Sequence, residues 1–407
     1  MKSISALQSV SEITALQAAW RAISKRNKLS KGSDNVTIKT FSSNLDSNLR
    51  TISSELRSKT YQFSKLRPVM IAKPGSEKPR PIQIPTIRDR IVMKALALHI
   101  QPTFAKFNLP CSFAFIAGED RGVNAAIRQI KYLVNQGYVH YFEADIKNFF
   151  GAVDRPTLWR MFAKKVRQKS LLPLLEKCFN LELDDLQSYQ TEHQDIILGA
   201  TVGIPQGGVL SPMLANFYLY DFDSIVTSEG FKLVRYADDF VVMCKTLQEA
   251  EQAHVLCRTV LNNLGLEIHA LDEPKSKSRF GNFSKDGLSF LGIRFEGQIT
   301  YPDSKVVSRF KLKVGVILKP SSGNSLSKTL QGLANLIKGW GMGYRHMRVM
   351  PLYGELDAFI KGEVVQYLQR SGIHLKGHNR GKQMRFLGVP SLSGMVSHTK
   401  AVTTRNP

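Results

Sequence analysis

Two neighbouring carboxylates, Asp238 and Asp239, stand in the middle of "LVRYADDFVVMCKT", residues 233–246, an otherwise apolar run of strand character. Successive side chains of a strand point to opposite faces, so two consecutive aspartates in mid-strand would bury at least one charge at large cost. A hairpin resolves the conflict. With "KLVRYA" and "FVVMC" as its arms, "ADD" falls at the tip, where aspartate tolerates turn geometry and both carboxylates face one site. Alone, such a dipeptide is an ordinary hairpin turn. A third carboxylate changes the reading, because Asp145 ends another apolar strand in "YFEADIKNFF". Carboxylates held together repel unless cations lie between them, and hard divalent ions with oxygen ligands fit. Two such ions about 3.5–4 Å apart activate an attacking hydroxyl and stabilise a leaving pyrophosphate, which is the arrangement of nucleotide polymerisation.

That chemistry also needs cationic side chains on a triphosphate. "VMIA" and "PIQI" read as two short strands joined by a loop that carries Lys73, Lys78 and Arg80 among Pro and Gly. A solvated basic loop is the plain alternative. Farther on, "GIPQGGVLSP", residues 203–212, is a Gly/Pro-dense loop opening a helix; its glycines permit close backbone approach to a ligand, and Gln206 offers hydrogen bonds to a base or sugar.

Helix and strand patterns alternate along the part of the chain that must position these groups. Leu7, Val10, Ile13, Leu16, Trp20 and Ile23 recur at helical spacing and predict one amphipathic N-terminal helix; Leu45, Leu49, Ile52 and Leu56 predict another between Phe41 and Tyr61. "DRIVMKALALHI", "GVNAAIRQIKYLVNQG", "SPMLANFYLYDFDSIV" and "LQEAEQAHVLCRTVLNNLG" read as helices, "YVHYFEADI" as a strand and "FLGIRF" as a short strand. Beyond about residue 304 the pattern turns helical and basic, with "SLSKTLQGLANLIKGWGMGY" its clearest piece, and a domain boundary is expected there. The expected class is mixed α/β (α+β), without internal repeats or low-complexity tracts.

The formal charge of +23 is the most informative bulk property, because such a field repels itself unless a polyanion screens it. Nucleic acid is the leading partner. From Lys305 to Pro407 there are 17 Lys/Arg against 3 Asp/Glu, a net +14, so more than half of the excess lies in the last quarter. No apolar stretch is long enough to span a membrane and no signal-peptide core opens the chain, so a cytoplasmic protein with no membrane partner is expected. Cys111, Cys178, Cys244 and Cys257 are scattered and read as buried free thiols.

In order, "KPGSEKPRPIQIPTIRDR", "EADIKNFF", "GIPQGGVLSPMLAN", "YADD" and "FLGIRF" resemble the successive blocks of reverse transcriptases, most closely the group II intron class. "KGSDNVTIKTF" looks like that class's N-terminal extension and "LIKGWGMGY" like its helical thumb, so the resemblance runs from about residue 30 to about 344. It implies a right-hand polymerase: a helix at 1–30, fingers and palm at 31–303, a thumb at 304–372 and a basic extension at 373–407. By position it implies Asp145, Asp238, Asp239 and the Ile146 carbonyl as ligands of two Mg²⁺ ions, with Mn²⁺ as the alternative. It further implies Phe150 as the gate against a ribose 2′-hydroxyl, Lys73 and Arg80 as triphosphate contacts, and Gln206 beside the incoming nucleotide. Lys275 takes the place of a lysine that protonates pyrophosphate, with Lys277 competing, and Phe290, Leu291 and Gly292 match the primer grip, for which a core strand is the plain alternative.

Two departures stand out: Gly151 replaces the usual Asp after the paired aromatics, and "AFIAGEDRG" replaces a "GFRPGR"-like run. Neither removes a metal ligand. About sixty residues follow the thumb-like "LIKGWGMGY", without the Cys/His cluster of an HNH endonuclease, so a full mobile-intron protein is not expected. "PQGGVLSP" also differs from the retron form. The expected function is therefore an RNA-directed DNA polymerase of the free-standing, phage-defence kind. Its partners are dNTPs, a structured RNA as template and scaffold, and the DNA product or RNA–DNA hybrid. The rivals are a group II intron maturase lacking an endonuclease domain and a non-catalytic RNA-binding protein on a polymerase fold.

Overall fold

A computed structural model describes residues 5–24, 29–72, 79–187, 189–199, 202–274, 276–297, 299–319, 325–344, 347, 349–375, 377 and 379–395. Lys73, Lys78 and Lys275 lie outside them. The chain divides into two compact units, Met1–Phe280 and Gly281–Pro407.

In the first unit the N-terminal periodicity is right but the single helix is not. Helices Ala6–Ser11 and Ile13–Ile23 meet at Glu12, whose backbone is extended at φ −62° and ψ 140°. The cause lies some forty residues away in sequence: Ser53 Oγ donates to the buried Ser11 carbonyl at 2.7 Å, and Arg57 pairs with the Glu12 carboxylate at 2.9 Å. The next apolar run likewise forms two helices, Ile38–Ser42 and Leu45–Arg57. Tyr61 lies beyond both and donates its hydroxyl to the buried Asp89 at 2.7 Å. "SPMLANFYLYDFDSIV" is also divided, into Ser211–Tyr218 and Tyr220–Ser228, on either side of the fully buried Leu219.

Strands β1 (Arg67–Ile71) and β2 (Arg80–Ile84) pair antiparallel with Val69 opposite Ile82, and the loop joining them lies outside the described residues. A four-stranded sheet, built from β3 (His140–Asp145), β4 (Lys232–Tyr236), β5 (Asp239–Cys244) and β6 (Arg279–Asn282) in the order β4-β5-β3-β6, carries the rest. Its central strands are buried on both faces, which is why they read as near-continuous apolar runs. Helix Leu247–Asn263 packs on β3 and β5, and helix Val123–Asn135 packs on β4.

In the second unit β7 (Leu288–Phe290), β8 (Ile293–Glu296) and β9 (Ile299–Pro302) form an antiparallel meander. "FLGIRF" is thus a hairpin and not one strand. Phe290 pairs with Ile293 across a turn in which Leu291 and Gly292 both have positive φ, +53° and +76°, the geometry of a tight two-residue turn. Helices Ser304–Ile317, Leu326–Tyr344 and Met350–Arg370 follow and bury Phe310, Val314, Leu333, Ile337, Leu356 and Val364 together. Among the described residues no helix is long and apolar enough to cross a membrane. The four cysteines are buried free thiols.

Candidate active site

The hairpin expected around "YADD" forms, with a narrower tip. Tyr236 and Asp239 face each other across it, so the turn proper is Ala237–Asp238, and Asp239 is the first residue of β5. Ala237 has φ +59°, in the left-handed region that a residue with a Cβ rarely adopts. Because β3 is the other neighbour of β5, the register sets Asp145 opposite Asp239. The Ile146 amide donates to the Asp238 carbonyl at 3.2 Å, which ties the end of β3 to the turn.

Carboxylate oxygens of Asp145, Asp238 and Asp239 consequently lie within 4.8 Å of one another. Asp145 is only 6% exposed and the other two are half-buried. Burial, and then the charge of Asp145, raises the Asp238 carboxyl above its usual range. Burial, with the charges of Asp145 and Asp238, pushes Asp239 up to about 7. An all-oxygen donor set this close and mutually repelling fits hard divalent cations.

Cationic groups already gather at its edge. Lys277 Nζ binds Asp145 Oδ2, and although burial opposes its charge, the Asp145 carboxylate more than compensates and raises the Lys277 ammonium above its ordinary pKa. His269 Nε2 stands 4.0 Å from the same oxygen, while its Nδ1 is 2.9 Å from Glu273, which also holds Lys147. Of the two competing lysines, Lys277 is thus at the cluster and Lys275 is outside the described residues. Sequence reasoning missed His269 and Glu273. Lys147 was visible as part of "ADIK", but nothing in the sequence announces a His that a long-range fold brings alongside.

The remaining expected contacts converge by backbone. Phe150 is half-buried on the short helix Phe149–Ala152, its ring 5.3 Å from that of the buried Phe149. Its carbonyl accepts the Ile204 amide at 2.7 Å, and a Cβ on Gly203 would lie 1.9 Å from that same oxygen. Arg155 donates to the Gly203 carbonyl through Nε at 3.0 Å and Nη2 at 2.7 Å. At the far side of the loop the Gln83 amide donates to the Gln206 carbonyl at 2.8 Å, which docks Gln206 on β2, the strand that begins with the exposed Arg80. The closeness expected of Gly203 toward a ligand is therefore used against the protein's own backbone. Gly151 has a local reason as well: a Cβ there would fall 2.5 Å from the side-chain nitrogen of Asn148. Phe290, Leu291 and Gly292 lie at the β7–β8 turn of the second unit.

Residues 71–295, more than half of the chain, match the family model described as reverse transcriptase (RNA-dependent DNA polymerase). The chain is 28% identical over 333 residues to Protein YkfC of Escherichia coli K12, covering 72% of this chain and 83% of that protein. It is 29% identical over 188 residues to the group II intron-encoded protein LtrA of Lactococcus lactis, covering 46% of this chain but only 29% of LtrA. Among solved structures, a partial Cas6-RT-Cas1–Cas2 complex aligns with 63% of this chain and 41% of its own at 26% identity and a TM-score of 0.37. The carboxylate cluster falls inside the matched span, and the chain belongs to the reverse transcriptase family, the RNA-dependent DNA polymerases.

Proposed function

We propose that this polymerase extends a 3′-hydroxyl with dNTPs on the template of an associated structured RNA, through a two-metal site on Asp145, Asp238 and Asp239. The cluster of three carboxylates within 4.8 Å carries the reading, since bound divalent cations would relieve their mutual repulsion. Mg²⁺, or Mn²⁺ in its place, would activate the hydroxyl and neutralise the leaving pyrophosphate. The three aspartates supply charged ligands and the Ile146 carbonyl a neutral one. Phe150 closes the sugar pocket against a 2′-hydroxyl, Gln206 contacts the incoming nucleotide, and Arg80 with Lys73 neutralises the triphosphate. Lys277, already on Asp145, is preferred to Lys275 as the proton donor to pyrophosphate. We assign residues 31–303 to fingers and palm, with Phe290, Leu291 and Gly292 as primer grip, 304–372 to the thumb, and 373–407 to a basic extension.

The net +14 between Lys305 and Pro407 supports the RNA partner. Antiphage defence is the proposed role, and the "PQGGVLSP" block, which departs from the retron and diversity-generating forms, sets the chain apart from those two classes. The similarity to LtrA favours one other reading, an intron maturase with polymerase activity. Primer extension on RNA with Mg²⁺ and dNTPs tests the chemistry: no incorporation by the wild-type protein, or undiminished incorporation by Asp238→Ala with Asp239→Ala, would refute it. Sequencing the RNA and DNA that co-purify with and without phage infection separates the two roles, since an intron RNA would replace the defence proposal with the maturase.

A further inference from the structure

A charged pair lies directly behind the catalytic turn, and both its members are fully buried. Arg235 and Asp223 have no exposed surface, and Asp223 takes Arg235 Nε on one oxygen at 2.6 Å and Nη2 on the other at 2.5 Å. Removing two charges from water is expensive, and such a pair commonly does no better for stability than apolar residues of similar volume. Stability alone is therefore a poor reason for it. What an apolar pair could not do is use the rest of the guanidinium fork.

Arg235 Nη1 donates to the Ala237 carbonyl at 3.0 Å and reaches Asn216 Oδ1 at 3.4 Å, while Nη2 donates to Ser112 Oγ at 2.9 Å. The Ala237 carbonyl belongs to the peptide that joins Ala237 to Asp238, so gripping it sets the plane from which the Asp238 side chain departs. Ala237 also holds φ +59°, a left-handed conformation that is strained for a residue with a Cβ and persists only where its surroundings enforce it. The anchors are themselves fixed. The Arg235 amide donates to the Cys111 carbonyl at 2.8 Å and its carbonyl accepts the Phe113 amide at 2.9 Å, while Asn216 Nδ2 donates to the Ala114 carbonyl at 3.0 Å. Asp223 has an electrostatic part too. It takes up the guanidinium charge, which acts on the Asp238 carboxylate as well.

We infer that Arg235, held by Asp223, is a positioning residue that clamps the Ala237–Asp238 peptide and so sets the Asp238 carboxylate for metal binding. The inference rests on the two-metal reading of the aspartates. It acts through geometry, so apolar replacement should preserve the fold and lose the function.

The test is the double variant Asp223→Leu with Arg235→Met, studied as the full chain beside Arg235→Lys, which keeps a charge for Asp223 but lacks the fork. Both are expected to unfold cooperatively near the wild-type temperature and to bind primer–template as wild type does. In both, kcat for dNTP incorporation and the affinity for Mn²⁺, read by EPR without nucleotide, should fall by about 10–100-fold, while KM for dNTP changes little. Wild-type turnover with wild-type Mn²⁺ affinity in either variant overturns the clamp. A double variant that fails to fold also overturns it, because the pair would then be serving stability. Asp238→Ala measured alongside separates the two levels: if it remains active the two-metal site itself is wrong, whereas if it is dead and the double variant is normal only the clamp falls.

Discussion

Two groups of charges that obey different rules meet at the hairpin of β4 and β5. Arg235 and Asp223 are wholly buried and each is satisfied by the other. Asp145, Asp238 and Asp239 are crowded, partly buried and carry one sign, with Lys277 on Asp145 as the cation at hand. The first is neutralised within the fold, whereas folding alone opposes the second. The contrast separates charges neutralised by their own partner from charges crowded together for a reaction, since strain persists at functional sites and is offset elsewhere in the structure.

The most direct way to break that contrast is to remove the crowded charges. Asp238→Ala with Asp239→Ala should lower RNA-templated incorporation by at least about 10³-fold, yet leave the metal-free protein as stable as wild type or more so in thermal melts. A large loss of stability would show that the cluster belongs to the scaffold after all. Gly203→Ala comes next, because its Cβ would lie 1.9 Å from the Phe150 carbonyl and backbone must move to admit it. We expect a cost of about 1–3 kcal/mol in urea denaturation together with a raised KM for dNTP. Phe150→Ala sharpens the division between metal site and sugar pocket: incorporation of ribonucleotides should rise by about tenfold or more while turnover with dNTPs persists. Ser53→Ala is the smallest. It removes the buried bond to the Ser11 carbonyl, should cost about 1 kcal/mol, and should leave polymerisation unchanged.

Much of this molecule was legible from local pattern. The apolar runs of β3 and β5 were found where they lie, because burial on both faces dictates their near-continuous apolar residues. Helical runs were found too, but their breaks at Glu12 and Leu219 were not. Apolar spacing continues through such a break, and at Glu12 the partner that stabilises it, Ser53, is distant in sequence. "FLGIRF" failed for a related reason: six apolar-rich residues read as one strand unless the positive φ of Leu291 and Gly292 is known.

The sequence by itself determined where helical and strand character lie, the identity of the three carboxylates and the excess positive charge, because periodicity, composition and motif order are properties of the chain. The tertiary structure decided the register that sets Asp145 against Asp239, the arrival of Lys277 and His269 at that site, and the partner that holds Arg235. Those contacts join residues on different elements, and only the closing of the sheet and its covering helices gives each buried charge its neighbour.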